Sequence, residues 1–390
     1  MSLDTYTSPV ITGHRGFKGR YTENTIRGFA KCFEAGATVI ETDLWLAKDE
    51  VLVISHDVST KRIFCDNQGN ESDYNILHTN YHGVLEYLET IESHERLMTF
   101  QDVLRWFVGY VEEAGSNVHK LQLDIKRLNQ TKLMKFLILD LLAVKNDIGW
   151  WFHRIQLGIW DLGVIKYINQ DPFFRKYFNG KRSPWGYTQF DIFHISVAWT
   201  DSIHYINYNF YIDSLKDGIF RLKVTGISLL YISTWSTGFL TKFIPLLRIQ
   251  DLKLYSWTIN LNSQFDYLVR VGKLANLREY GIISDYPDRM VARKKELDLM
   301  EDDFNELTAL RTFTTGGEYN EEGELDIKLS FKQRILYMLY KSFTSLSGNR
   351  RVTAEEKVFD SWVDEEKITP VRVNRLFVWV FAKCQKYGIF

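Results

Sequence analysis

The sequence predicts an α/β fold: a closed (β/α)8 TIM-type barrel followed by a C-terminal extension. Three observations predict it. From residue 10 to about 290, short β-branched runs alternate with longer segments of helical period, as in parallel sheets built from βα units. About 250 residues and eight such units suit a closed barrel. No GxGxxG or Walker-type loop follows any strand candidate, which disfavours the competing open doubly wound sheet.

The strand candidates, in order, are VITGH (10–14), TVIETDL (38–44), VLVISH (51–56), KLQLDIK (120–126) and RIQLGIW (154–160). They continue with IFHISV (192–197), VTGISLL (224–230), KLYSWTI (253–259) and GIIS (281–284). Between them, ENTIRGFAKCFEAG places Ile26, Phe29, Ala30 and Phe33 on one helical face and closes on Gly36, a C′ residue. TFQDVLRWFVGYVEEAG opens with Thr99 and Asp102, a variant capping box. TKLMKFLILDLLAVKND is a further helix. Residues 57–98 are polar and too long for an ordinary βα loop, so an insertion with little regular structure is expected.

Composition shifts after residue 296. Residues 298–327 hold ten acidic side chains and one basic one, Arg311, which reads as a linker. FKQRILYMLYKSF (331–343) then has a basic amphipathic pattern, and residues 371–390 carry four Lys/Arg, no acid and the apolar run LFVWVFA. The expected organisation is a barrel over 8–295, an acidic linker over 296–327, and an amphipathic, membrane-associated extension over 328–390.

A net charge of −1 gives no phosphate-tracking basic surface, so nucleic acid is not an expected partner. Three scattered cysteines, Cys32, Cys65 and Cys384, argue against a disulfide framework and for a reducing compartment. The first residues lack a basic n-region and an apolar h-region, so secretion is not expected. No run is long enough to span a bilayer simply.

The chemistry lies at strand ends. Glu41 and Asp43 stand two apart on one strand and share a face, as do Asp124 and Lys126. In a closed barrel the C-terminal strand ends converge on one pocket. His14 and His56 each end a strand candidate, followed by Arg15 and Asp57. Taken singly, each has a plain structural reading: a polar loop start, a solvated strand face, an internal ion pair, a turn. Taken together, three carboxylates repel one another unless a hard divalent cation, Mg²⁺ or Ca²⁺, binds among them. With Arg15 and Lys126 that cation makes a receptor for a phosphate oxyanion. Two histidines titrating near neutrality suit general acid and base catalysis.

In order, GHRGFKGRYTENT, GATVIETDL, VLVISHD, LQLDIK, LYSWTIN and GIISDYP resemble the landmarks of the glycerophosphodiester phosphodiesterase family. The resemblance runs from residue 11 to about 288. It implies a TIM barrel, with Glu41, Asp43 and Asp124 as metal ligands, His14 and His56 as acid/base residues, and Arg15 and Lys126 at the phosphate. Within the family the chain looks most like the fungal phosphatidylglycerol-specific phospholipases C, through FKGRY, the aspartate of LDIK, VKND and the C-terminal extension. It departs from the pattern at Thr22, where proline is usual and where threonine can cap the following helix. It departs also at Asp124, where glutamate is common, and in AKDEV, which lacks the usual turn glycine.

The reaction implied is hydrolysis of phosphatidylglycerol to diacylglycerol and glycerol 3-phosphate. Trp257 and Asn260 are expected to shape the glycerol pocket. The alternatives are a soluble glycerophosphodiesterase acting on deacylated lipids and an inactive lipid-binding or tethering barrel. The cationic, aromatic C-terminal extension fits an interfacial segment at a mitochondrial, endoplasmic-reticulum or lipid-droplet surface. Trp199, Trp235, Phe17 and Tyr21, in loops after strands, are expected to dip into lipid.

Overall fold

The computed structural model of the chain describes residues 9–277, 279–302, 329–346 and 354–369, together with Trp379 and Lys383. The strands among them are β1 (Val10–Gly13), β2 (Val39–Leu46), β3 (Leu52–Ile54), β4 (Phe64–Cys65), β5 (Glu89–Thr90) and β6 (Lys120–Ile125). They continue with β7 (Ile155–Ile159), β8 (Asp191–Ser196), β9 (Gly226–Leu230), β10 (Lys253–Trp257) and β11 (Tyr280–Ser284). Strands β1, β2 and β6 to β11 run parallel in that order, and β11 pairs back onto β1. Eight strands therefore close into a barrel, as the βα rhythm predicts. Their near-continuous apolar runs follow from burial on both faces, side chains filling the interior on one side and helices covering the other.

The first helix, α1 (Ile26–Glu34), starts at Thr25, whose Oγ accepts the Gly28 N–H at 3.1 Å. Thr25, not Thr22, is the cap. Thr22 supplies its carbonyl to the Thr25 hydroxyl at 2.9 Å. The helix buries Phe29, Cys32 and Phe33 against the barrel and ends at Gly36, which takes φ +94°. Helix α2 (Phe100–Glu113) carries the full reciprocal capping box of Thr99 and Asp102.

VLVISH is not a rising barrel strand. Strand β2 overshoots the barrel rim, turns at residues 47–51, and β3 returns antiparallel beside it. The turn places Glu50 at φ +65°, a left-handed conformation that favours glycine, where the sequence departs from the usual glycine. Ser55 N then donates to Asp43 O at 3.2 Å, so the hairpin delivers His56 back to the level of Asp43.

The 57–98 insertion has only short 3₁₀ turns and the β4–β5 ladder, as expected, but it is packed. Phe64, Ile76, Leu85, Leu88 and Leu97 form a satellite core with Trp45 and Val53 of the hairpin. Polar side chains replace ladder bonds: Ser59 accepts from Lys61 N, Asp66 from Gln68 N and Asn70 N, and Asn75 from Leu77 N.

The last barrel helix runs over Pro287–Asp302, past the boundary at 295 that composition suggests. Most of the acidic linker (303–327) and the tail 371–390, save Trp379 and Lys383, lie outside the described residues. The segment 354–369 is strapped along the barrel's flank. The buried Lys166 ammonium donates to Val358 O (2.8 Å) and Ser361 Oγ (2.6 Å). Val363 is buried, Lys132 N donates to Glu365 O, and Ile368 bridges to Gln130. Phe17 and Trp235 are buried and so do not meet lipid, contrary to expectation. Tyr21 packs edge-on against Phe17, and Trp199 lies tilted against Phe243. Among the described residues no helix is long and apolar enough to cross a membrane.

Candidate active site

Glu41, Asp43 and Asp124 meet. One carboxylate oxygen from each lies within 4.8 Å of the others, and all three residues are buried. The register explains the meeting: Asp43 is the direct partner of Asp124 across the parallel β2–β6 pair, and Glu41 lies two residues back on the same face. Lys126 Nζ sits between two of them, 2.7 Å from Asp43 Oδ1 and 2.6 Å from Asp124 Oδ2. Trp160 Nε1 donates to the other Asp124 oxygen at 2.8 Å.

Two non-glycine residues in the left-handed region shape the rim, Arg15 at φ +51° and Asn24 at φ +58°. Such backbone is uncommon outside glycine, less so for Asn than for Arg. It aims Arg15 N at Glu41 Oε2 (2.8 Å) and Asn24 Nδ2 at Asp43 Oδ2 (2.9 Å). The Arg15 guanidinium bonds Glu23 at 3.0 Å and lies 3.7 Å from Asp43. The turn also needs Gly13: a Cβ there would fall 2.3 Å from Gly16 O and 2.2 Å from Cys32 Sγ.

His14 precedes Arg15, whose N–H bonds Glu41, and His56 lies near enough to Asp43 to act on its charge; each histidine has a carboxylate behind it. His14 Nδ1 meets Asp285 Oδ1 at 2.7 Å. Asp285 is itself fixed by Asn260, which donates to Oδ2 (2.9 Å) and accepts from Asp285 N (2.9 Å). His56 Nδ1 meets Asp57 Oδ1 at 2.7 Å, and Arg62 ties Asp57 to Glu23. Asn260, expected in a glycerol pocket, thus stands behind His14. Trp257 donates to Ser228 O and meets Trp160 edge-on at 6.0 Å, so it reaches the cluster through Trp160.

Charge is unevenly held. Burial, then the neighbouring Asp43, pushes the Glu41 carboxyl well up. Burial also pulls Asp43 upward, but Lys126, His56 and Arg15 prevail and hold it well below the usual carboxylate range. Burial and Arg15 lower His14 to about 4 against the pull of Asp285. Burial and Lys126 lower His56 too. Three carboxylates face two cationic side chains, Arg15 and Lys126, and Arg15 is shared with Glu23, so the cluster is short of positive charge. A divalent cation fits this donor set: all-oxygen, acidic and short of positive charge.

These shifts set an acid limit. Burial tends to raise Glu23, but Arg62 and Arg15 bring it down to about 2. A depressed carboxylate contributes stability above its unfolded pKa of 4.5 and loses it as pH falls toward 2. His14 acts in the same direction: its folded pKa lies below 6.5, so unfolding takes up a proton between pH 6.5 and 4. Melting temperature is therefore expected to fall from about pH 6.5 downward and more steeply below 4.5, and Glu23→Gln should flatten the lower limb. Calorimetric scans across pH 3–7 check this, and an unchanged limb in the variant would refute the assignment.

Asp285, Glu23, Asn24, Arg62 and Trp160 were given no role by sequence. Glu23, Asn24 and Asp285 lie within the ENT and SDYP segments of the named motifs and Trp160 at a strand end, whereas Arg62 lies in the 57–98 insertion and carried no such signal.

A family model, the glycerophosphoryl diester phosphodiesterase family, matches residues 14–289. Two curated relatives are a glycerophosphodiester phosphodiesterase of Bacillus altitudinis and the uncharacterized protein YqiK of Bacillus subtilis strain 168. Each is 46% identical over 52 residues, which is 13% of this chain and 21% of the relative. This chain therefore matches only about a fifth of those relatives' length. A solved glycerophosphodiester phosphodiesterase of Parabacteroides distasonis superposes with TM-score 0.52 at 16% identity, over 75% of this chain and 98% of that one. A Silicibacter pomeroyi DSS-3 protein assigned to the same family gives 0.53 at 14%, over 75% and 95%. At such identities the superpositions establish the barrel fold.

Proposed function

The chain belongs to the glycerophosphoryl diester phosphodiesterase family, and from that premise we propose that it hydrolyses the phosphodiester of phosphatidylglycerol, releasing diacylglycerol and glycerol 3-phosphate. The observation that carries the reading is the convergence of Glu41, Asp43 and Asp124, in a barrel whose His14 and His56 are each backed by a carboxylate.

In this reading Glu41, Asp43 and Asp124 hold a divalent cation, Mg²⁺ or Ca²⁺, that supplies Lewis-acid polarisation of a phosphoryl oxygen. Arg15 and Lys126 face the remaining phosphate oxygens. Each histidine is held at Nδ1 by its carboxylate, which leaves Nε2 for proton transfer. One ring, neutral, accepts at Nε2 the proton of the attacking water; where the glycerol hydroxyl attacks instead, a cyclic phosphate forms and water opens it in a second step. The bond from phosphorus to the diacylglycerol oxygen breaks, and that oxygen takes its proton from Nε2 of the other ring, which has to enter the reaction as the imidazolium. Asp285 and Asp57 orient the rings and stabilise the imidazolium, on the acid before proton transfer and on the base after it.

Asp285 is a positioning residue, so Asp285→Asn is expected to lower kcat about 10- to 100-fold with little change in KM. The kcat–pH profile should shift, because the imidazole loses its anionic partner. A variant with wild-type kcat and pH profile would remove Asp285 from the account.

Hydrolysis of intact phosphatidylglycerol against glycerophosphoglycerol, with chelator and metal add-back, tests the substrate assignment. Preference for the intact lipid supports it. Preference for the deacylated diester would make the chain a glycerophosphodiesterase of soluble substrates.

A further inference from the structure

We propose that the helix Phe331–Leu346 is the element that seats the barrel mouth on an anionic lipid surface, an inference that rests on the lipid-substrate reading above. Its placement comes first. Tyr340 Oη donates to Val197 O at 2.9 Å, just past the C-terminal end of β8. Tyr340 also bonds Ser233, in the turn that follows β9. The helix therefore lies on the loops at the strand ends where Glu41, Asp43 and Asp124 converge.

Its two faces differ. Leu336, Tyr337 and Tyr340 pack onto the barrel core. On the other side Phe331, Ile335, Met338 and Leu339 are 81%, 44%, 67% and 52% exposed. These are positions i, i+4, i+7 and i+8, one continuous stripe. A chain that needed the helix only as a cover for the barrel gains nothing from four apolar side chains on the solvent side.

Charge identifies the occupant. Lys332 lies along one edge of the stripe, Arg334 and Lys341 along the other, all exposed, and residues 331–346 contain no acidic side chain. An apolar stripe bordered on both edges by long cationic side chains is the layout of an interfacial helix. The apolar groups enter the acyl boundary and the ammonium and guanidinium heads reach back to anionic headgroups. A protein partner would not call for cations on both borders. The proposed substrate, phosphatidylglycerol, is anionic, so the docking surface and the substrate share one chemistry.

The test uses the full chain. Wild type, Ile335→Glu/Met338→Glu and Lys332→Glu/Lys341→Glu are sedimented with vesicles of phosphatidylcholine alone and of phosphatidylcholine with phosphatidylglycerol. Hydrolysis of soluble glycerophosphoglycerol and of vesicular phosphatidylglycerol is measured in parallel, and circular dichroism with melting curves verifies folding. The wild type should bind mixed vesicles at least about tenfold more tightly than phosphatidylcholine vesicles. The apolar pair should lose binding by about tenfold or more and lose vesicular hydrolysis with it, while soluble hydrolysis stays within about twofold. The lysine pair should lose the preference for phosphatidylglycerol. A folded apolar pair that sediments like wild type would overturn the proposal and assign the contact to the tail. So would a wild-type dimer that this pair converts to a monomer, because the stripe would then join two copies. If the wild type binds vesicles through this helix yet hydrolyses neither diester, the functional reading fails and the docking assignment stands.

Discussion

His14→Ala is expected to lower kcat for glycerol phosphodiester hydrolysis by about 10²- to 10⁴-fold, the usual contribution of a positioned acid or base. The barrel should remain folded. His14 lies at the end of β1, its backbone N–H bonds Ser284 O at 2.8 Å, and its ring is the replaceable part. His56→Ala should cost a similar factor. The double variant should cost far less than the product, because one proton relay is broken only once. Steady-state kinetics with glycerophosphoglycerol and with vesicular phosphatidylglycerol checks both. A loss below about tenfold in His14→Ala would exclude this imidazole from the chemistry.

The second large effect concerns the cation. Chelation is expected to abolish turnover, and Mg²⁺ or Ca²⁺ to restore it. Asp43→Ala should abolish turnover without rescue. Asp43 is wholly buried, with Lys126 at 2.7 Å, Asn24 at 2.9 Å and Arg15 at 3.7 Å. Removing it also leaves cations facing one another in a closed space, so a stability loss of about 3–5 kcal/mol should accompany it. Asp43→Asn keeps the shape but also removes the charge, so calorimetry should show weakened Mn²⁺ binding together with a stability loss smaller than that of Asp43→Ala. Full activity of Asp43→Asn in chelator would contradict the metal role.

The carboxylate triad was legible because two local rules suffice for it. Residues two apart on a strand share a face, and Asp43 and Asp124 recur on strands that become neighbours once the barrel closes. The direction of β3 was not legible. VLVISH has the composition of a barrel strand, and only the turn at 47–51, with Glu50 in the conformation glycine would favour, shows that the chain folds back. His56 reaches the site by descending to it. Asp285 was missed because its role depends on closure: β11 borders β1 only when the sheet joins its own ends, and that contact places Asp285 behind His14. Asn260 was read as a substrate contact because it ends a strand, yet its amide is spent holding Asp285. The buried Phe17 and Trp235 show the limit of inferring exposure from loop position, since the mouth loops fold inward and pack. In the extension, the pattern over 331–343 gave the helix. Which face it would turn to the barrel depended on Tyr340 reaching the β8 end, a contact no periodicity contains.

The most direct measurement is the position of Mn²⁺ anomalous scattering in crystals of the full chain. The account predicts one strong peak coordinated by Glu41, Asp43 and Asp124, beside His14 and His56. Saturating Mn²⁺ with no peak among those three carboxylates would contradict it.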